Sequence, residues 1–172
     1  MKKCCITFLL STIICLTAIC YPQKRAQAED FFRLHIRANS NLPEEQMVKY
    51  LVKDKVVEYL LPIVSTAKSK RESMRAIEKE LKNIERVASA VLFKNGYKYT
   101  AKAELKREYF PIRYYKEVEL KSGYYDALII LLGEGTGENW WCVLYPPLCF
   151  SGEGDVAYSS LIAERIKEWL RG

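Results

Sequence analysis

Two cysteines and one histidine are the residues of this chain whose types could support covalent chemistry. Cys142 and Cys149 lie in a short aromatic stretch, and His35 is the only histidine in the sequence. A thiolate nucleophile with an imidazole base can carry out acyl transfer. Both cysteines, however, are surrounded by Trp, Val, Leu and Phe, where burial disfavours a reactive thiolate. An envelope Cys/His hydrolase is therefore one alternative function, and a structural envelope-associated binding module is another. The sequence favours no catalytic residue.

The cysteine pair has a structural interpretation as well. Six cysteines occur in the chain, and four of them fall within the first twenty residues. If that segment is removed on export, Cys142 and Cys149 are the pair that remains, and an even pair in an oxidising compartment favours a disulfide. The bridge would close a loop of about eight residues and contribute roughly 2.5 kcal/mol in the chain-entropy model. Two buried free thiols are the other possibility.

Neither a metal nor a nucleotide cofactor is predicted. Two cysteines and one histidine are too few for structural zinc, and their spacing matches no usual zinc pattern. The sequence Gly133-x-Gly135-x-Gly137 is not followed by a helix start or by Lys-Ser/Thr, which a phosphate-binding loop needs. We expect these glycines to shape a tight or bulged hairpin instead.

The aromatic stretch around the cysteines favours binding. It combines bulky rings with a Pro-Pro pair that stiffens the backbone, and so presents apolar area at little entropic cost. Alternation along a strand predicts one tryptophan inside and one outside. The binding candidates in this stretch are Asn139, Trp140, Trp141, Tyr145, Pro146, Pro147 and Phe150.

The first 28 residues are typical of an export signal. Met1-Lys2-Lys3 is basic, residues 6–19 are apolar and uncharged, and Ala26-Gln27-Ala28 fits signal peptidase. Cleavage after Ala28 would leave one exported domain, residues 29–172. An uncleaved anchor is the alternative, because residues 4–21 are about long enough to span a bilayer at ~20 residues.

The charge balance argues against nucleic acid. The net charge is +6, but four of the 27 basic residues lie in the export segment, which leaves 23 against 21 acidic residues. A domain of mixed sign has no basic footprint for a duplex.

The remaining chain predicts an α+β domain with a mostly antiparallel sheet, in the order β-α-α-β-β-β-α. Its first strand alternates, with Phe32, Leu34 and Ile36 on one face and a cationic outer row on the other, formed by Arg33, His35 and Arg37. Two long helices follow. The first, residues 42–60, has a capping-box spacing at Asn41 and Glu44 and is ended by Pro62 and the polar Ser65-Thr66 segment. Its apolar face includes Met47, Tyr50 and Leu51 and is widened by Val48, Val52 and Tyr59. The second, residues 69–93, repeats apolar residues at steps of three and four.

Later segments change to a period of two. Residues 97–105 predict a one-sided strand, residues 124–132 a central strand buried on both faces, and residues 140–145 a short strand ended by Pro-Pro. Residues 156–171 carry a helical apolar stripe, which predicts a C-terminal helix.

Three stretches resemble stage II sporulation protein R of endospore-forming bacteria. They are Leu34-His35-Ile36-Arg37-Ala38-Asn39-Ser40 with Pro43-Glu44, then Gly123-Tyr124-Tyr125-Asp126-Ala127-Leu128, and Gly133-Glu134-Gly135 through Asn139-Trp140-Trp141-Cys142-Val143-Leu144-Tyr145-Pro146-Pro147-Leu148-Cys149-Phe150. The resemblance covers roughly residues 31–150. The chain departs from the family pattern at Leu42, where a polar or small residue is expected.

The resemblance implies a signalling protein and not an enzyme. Such proteins are exported from the forespore into the space between the two septal membranes. There they activate a membrane-embedded aspartic protease of the mother cell, the sporulation sigma-E factor-processing peptidase, which cleaves pro-sigma E. We expect the aromatic stretch and the row Arg33, His35 and Arg37 to form or support the surface that contacts this receptor.

Overall fold

In this computed structural model the protein is described over residues 28–115 and 118–150. Two helices and six strands make up this part of the chain, with short 3-10 turns at Ala28–Asp30 and Leu148–Phe150. The helices are α1 (Pro43–Ser65) and α2 (Lys70–Lys94), and the strands are β1 (Phe32–Arg37), β2 (Ala101–Phe110), β3 (Arg113–Tyr115), β4 (Val118–Leu120), β5 (Gly123–Leu132) and β6 (Asn139–Tyr145). The export segment before Ala28 and the C-terminal helix lie outside the described residues and stay predictions.

The main sheet is mixed. Its strand order is β2-β5-β1-β6, and β3 pairs with β4 in a separate hairpin. The central pair β1 and β5 runs parallel, with Leu34 opposite Leu128, whereas the outer pairs are antiparallel. The α+β class is confirmed, but the expected antiparallel character holds only for those outer pairs. Both central strands are buried on both faces, as is typical of parallel strands.

Strand β1 is covered on both sides, so the predicted cationic outer row is wrong. Phe32, Leu34 and Ile36 pack under the helices, as predicted. On the opposite face, Arg33 is 0% exposed and His35 is 4% exposed. A second apolar cluster that includes Phe110, Leu120 of the β3–β4 hairpin and Tyr125 forms there. Alternation predicted the two faces correctly but not the layer that covers the second one.

Helix α1 buries only part of the broad apolar face that was predicted, the part that contains Val48 and Val52. Its buried apolar residues follow steps of four: Val48, Val52, Val56, Leu60 and Val64. Met47, Tyr50 and Leu51 are exposed at 64%, 50% and 43%. Both sets repeat at helical spacing, and the buried set is the one that packs in the same core cluster as Leu34 and Ile36 of β1.

Both predicted ends of α1 also need correction. The residue before the helix is Leu42, which makes no side-chain cap, and Asn41 accepts a hydrogen bond from the backbone of Glu138 instead of closing a capping box. Pro62 lies inside the helix, which continues to Ser65. Because proline has no N–H, the helical hydrogen bond from residue 62 to the carbonyl of Glu58 is missing, and the helix nevertheless continues for three more residues.

Helix α2 agrees with its prediction. Ser69 caps it by accepting a hydrogen bond from the Glu72 N–H, and its buried stripe includes Ile77 and Ile84. The helix crosses the sheet at an angle. Its C-terminal half lies along β2, whereas Lys70 at its start forms an ion pair with Asp126 of β5 at 2.6 Å. None of the described helices is long and apolar enough to cross a membrane.

Candidate functional site

The two most specific sequence motifs meet at the carboxyl ends of the parallel strands. The connection from β5 to β6, residues 133–138, has to pass over the end of β1 because β1 lies between those two strands. It packs on the β1–α1 loop: the Gly137 N–H donates to Ala38 O at 2.9 Å and the Glu138 N–H to Asn41 Oδ1 at 2.7 Å. Asn39 accepts from the Glu134 N–H through Oδ1 at 2.9 Å.

The glycines serve this crossing, so the predicted hairpin between β5 and β6 is wrong. Gly133 and Gly135 have φ values of 56° and 63°, a region that residues with side chains rarely adopt. A Cβ at Gly133 would collide with the Asn39 side chain, and one at Gly137 with the backbone carbonyl of Ser40. The glycine spacing therefore allows two loops to approach each other closely.

Buried polar residues hold the crossing loop in place, and no sequence pattern indicated this role. Glu45 is 7% exposed and accepts hydrogen bonds from Asn39 Nδ2 at 3.0 Å and from the Tyr99 hydroxyl. Lys49 is 1% exposed and donates to Glu138 O at 3.2 Å and to Gln46 Oε1 at 2.6 Å. Burial lowers the pKa of Lys49, and burial together with Glu45 raises the pKa of Tyr99. These contacts fix the loop backbone.

His35 links β1 to strand β2 and to the start of strand β6. Its Nδ1 lies 2.8 Å from Glu108 Oε2 and its Nε2 lies 2.7 Å from Asn139 Oδ1. Glu108 also forms an ion pair with Arg37. Burial lowers the pKa of His35 more than the two hydrogen bonds raise it. Burial alone would raise the pKa of Glu108, but the hydrogen bonds and charges of His35 and Arg37 lower it overall.

Arg33 lies in an aromatic cage. Its guanidinium carbon is 4.2 Å from the Phe110 ring centroid and 5.0 Å from that of Tyr125, and Nη2 donates to the Tyr115 hydroxyl at 2.8 Å. Nε and Nη1 have no hydrogen-bond partner within the described part of the chain. Burial lowers the pKa of Arg33, against the raising effect of Tyr115. Arg33 and His35 can therefore hold neighbouring residues in position, but they are too deeply buried to form part of an exposed binding surface.

The two tryptophans occupy opposite faces of β6, and both are partly buried. Trp140 packs on the helix side, with Lys53 Nζ 5.8 Å from its ring centroid. Trp141 packs on the hairpin side, with Arg113 4.3 Å and the His35 ring 5.5 Å from its ring centroid. The prediction of one tryptophan inside and one outside is wrong because both faces of the sheet are covered.

The cysteines form the predicted disulfide, Cys142–Cys149, with their Cα atoms 5.5 Å apart. The bridge ties β6 to the following 3-10 turn, and between them Pro146 and Pro147 are buried, with a cis bond before Pro146. Cys142 faces the helices opposite Leu34, whereas the neighbouring His35 faces the hairpin. The Cys/His pairing considered from sequence is thus not assembled, because the sulfurs are bonded to each other and point away from the imidazole.

Register brings the predicted binding residues together. In the β1–β6 ladder His35 lies opposite Trp141 and Arg37 opposite Asn139, although each pair is about a hundred residues apart. Asn139 is exposed, Tyr145 is half-buried and donates from its hydroxyl to Lys68 O at 3.1 Å, and Phe150 ends the 3-10 turn. Asn139 and the exposed part of Trp141, with Arg37 and Arg113 beside them, lie on the hairpin side of β6, and the exposed part of Trp140 lies on its other side. We call these five residues along the outer strand the β6 surface.

Comparison with known proteins gives a consistent result. The family model of stage II sporulation protein R matches residues 28–154. Stage II sporulation protein R of Bacillus subtilis (strain 168) is 36% identical over 118 residues, which cover 69% of this chain and 53% of the relative. The matched part of this chain thus spans about half the length of that relative. No solved structure matches.

Proposed function

This chain belongs to the stage II sporulation protein R family, and we propose that it is an exported sporulation signal that activates a membrane-embedded aspartic protease. The protease would be the mother-cell peptidase that removes the propeptide of pro-sigma E. The site of action would be the space between the two septal membranes, reached by export from the forespore. Family membership is the observation that carries this proposal.

The β6 surface is our candidate for the receptor contact. It combines half-buried tryptophans, whose exposed edges bury well in an interface, with two arginines and an exposed amide. Arg113 stacks on Trp141, and Asn139 is held by His35, so this part of the surface is preorganised. Preorganised side chains lose little conformational entropy when a partner binds.

The buried candidates would then act as supports. Arg33, His35, Pro146 and Pro147 hold β1, β6 and the disulfide-linked turn in place, and none of them is exposed. An activator of this kind works by binding the active state of its receptor more tightly than the inactive one. About 5.5 kcal/mol of such preference would shift the receptor from 1% to 99% active.

Reconstitution in a bacterium that does not sporulate tests the proposal. The protease and pro-sigma E are co-expressed with the full chain, with a chain that lacks residues 1–27, or with neither form. We expect propeptide cleavage only with the full chain, because the other form stays on the wrong side of the membrane. Absence of cleavage while the full chain is folded and exported would overturn the proposal.

A charge reversal tests the surface separately. Arg113→Glu removes the cation that stacks on Trp141 and should reduce cleavage. Lys98→Glu makes the same charge change at an exposed residue just before β2, the strand at the opposite edge of the sheet from β6. Equal cleavage with both variants would exclude the β6 surface but not the function.

A further inference from the structure

Strand β2 is an outer strand of the sheet, and half of its outward edge is already occupied. The backbone N–H and C=O groups of its even-numbered residues form the hydrogen bonds to β5, as the bond from the Gly133 N–H to Thr100 O also indicates. The odd-numbered residues therefore direct their N–H and C=O groups away from the sheet. The Ala101 N–H donates to Ser89 Oγ at 3.0 Å and the Ala103 N–H to Glu85 Oε1 at 3.1 Å, so α2 protects this half.

The other half of the edge is open. Within the described ranges 28–115 and 118–150, the outward N–H groups of Leu105, Arg107 and Tyr109 have no hydrogen-bond partner. The crossing angle of α2 explains this. Toward its start the helix leaves β2 and reaches β5, where Lys70 bonds Asp126, and among the described residues its hydrogen bonds to the outward amides of β2 end at Ala103.

The surroundings of this edge are basic with an apolar floor. A groove of about 480 Å³ lies between α2 and the strands, and it is lined by Lys70, Arg71, Met74, Arg75, Glu78, Leu105 and Asp126. Lys106 and Arg107 are exposed on the strand itself. At the end of the open edge, Tyr109 and Tyr124 are 56% and 61% exposed and meet edge to face. Because Lys70 and Asp126 are paired, the remaining charge of the groove is positive.

We propose that the edge Leu105–Tyr109 is a strand-addition site for an extended acidic segment of a partner protein. An added strand would pair with the three outward residues and turn alternate side chains toward α2. Acidic residues at those positions would meet Arg71, Arg75 and Arg107, and the residues between them would point to the opposite face of the sheet. This inference does not rest on the proposed function, because it concerns the opposite edge of the sheet from the β6 surface.

A second copy of this chain fits the edge less well. The symmetric antiparallel registers that use the open residues are centred on Lys106, Arg107 or Glu108. Each of them places a charged side chain directly opposite the same residue of the other copy. Like charges opposite one another destabilise a strand pair, whereas an acidic partner strand avoids that cost.

Amide exchange in the exported product of the full chain tests the proposal, with the peptide EVEVEVE as the probe. In the free protein the amides of Leu105, Arg107 and Tyr109 should exchange quickly, and addition of the peptide should slow them. The Lys106 and Glu108 amides point toward β5 and should be protected in both states, which provides an internal control. Fluorescence anisotropy of the labelled peptide gives the affinity, and KVKVKVK is the matched probe of opposite charge.

A pair of variants at one position separates backbone pairing from charge. Arg107→Thr keeps the N–H and removes the charge, whereas Arg107→Pro removes both. Proline is tolerated at an outward position of an edge strand because no ladder bond is lost. We expect the proline variant to bind EVEVEVE at least about tenfold more weakly than the threonine variant, the equivalent of one lost hydrogen bond.

Several results would overturn the proposal. The first is unchanged exchange of the three amides with the peptide. Another is protection of those amides in the peptide-free protein. Protection that depends on protein concentration would indicate that a second copy covers the edge. Protection that does not depend on it would indicate that another part of the same chain covers the edge. Equal binding of KVKVKVK would exclude an acidic partner. Should the proline variant fail to fold, the exchange data on the unsubstituted protein decide alone.

Discussion

Substitution of the buried arginine gives a quantitative test of the aromatic cage. Arg33→Met keeps a long side chain between Phe110 and Tyr125 but removes the guanidinium. The losses are one hydrogen bond from a charged donor, about 1.5–3 kcal/mol, and a cation–π contact of up to about 2 kcal/mol. Against this, burying a charged group costs several kcal/mol, and Arg33 is 0% exposed with Nε and Nη1 unpaired within the described residues.

These opposing contributions nearly cancel, so the methionine variant should lie within about 1–2 kcal/mol of the unsubstituted protein in its free energy of unfolding. Arg33→Ala removes the packing as well and leaves a cavity, and it should cost about 3 kcal/mol or more. Urea denaturation followed by tryptophan fluorescence measures both variants. If Arg33→Met were as damaging as Arg33→Ala, the guanidinium itself would be stabilising, and the reasoning from its unpaired donors would be refuted.

Three further predictions follow from individual contacts. Replacement of Cys142 and Cys149 by serine opens a loop of about eight residues and should lower the free energy of unfolding by roughly 2.5 kcal/mol; no loss in denaturant titrations under oxidising conditions would argue against the bridge. Because the pKa of His35 is lowered from 6.5 in the folded state, the unfolded state binds more protons, and stability should fall as pH drops below about 6.5. His35→Gln should flatten that part of the pH profile, and an unchanged slope would contradict the assignment. Gly137→Ala forces a Cβ onto the Ser40 carbonyl and should lower the free energy of unfolding by more than about 2 kcal/mol. At Gly123 a Cβ meets only an ordinary contact at 3.9 Å, so Gly123→Ala should be nearly neutral. Similar melting temperatures for the two variants would refute the close crossing of the loops.

Local patterns in the sequence predicted those elements whose environment repeats along the chain. Strand β5 is a continuous apolar run and is buried on both faces. Helix α2 has one clear apolar stripe and a serine cap. The disulfide was favoured because export leaves an even cysteine pair, and the bridge is formed. In each case the information lies within a few residues of the element itself.

The errors arise where distant segments decide the outcome. Arg33 and His35 alternate with apolar residues along β1, a pattern typical of a strand with one face in solvent. They are buried because the β3–β4 hairpin and the Phe110 and Tyr125 rings cover that face. Helix α1 carries two apolar sets, and sequence alone could not tell whether Val48 or Met47 faces the sheet.

The connection after β5 shows the same limit on a larger scale. Adjacent strands in sequence suggested a hairpin, but β1 inserts between β5 and β6. Nothing local to residues 133–138 indicates that insertion. The glycine spacing was noticed, yet its purpose depends on Asn39 and Ser40, nearly a hundred residues earlier.

The most direct test of the central claim uses vesicles that carry the protease in their membrane and pro-sigma E in their interior. The purified exported product is added to the outside of these vesicles. The account predicts that propeptide cleavage begins on addition, saturates with protein concentration, and requires a higher concentration of the Arg113→Glu variant than of Lys98→Glu. Cleavage at the same rate with and without the folded protein would contradict the claim that this chain is the activating signal.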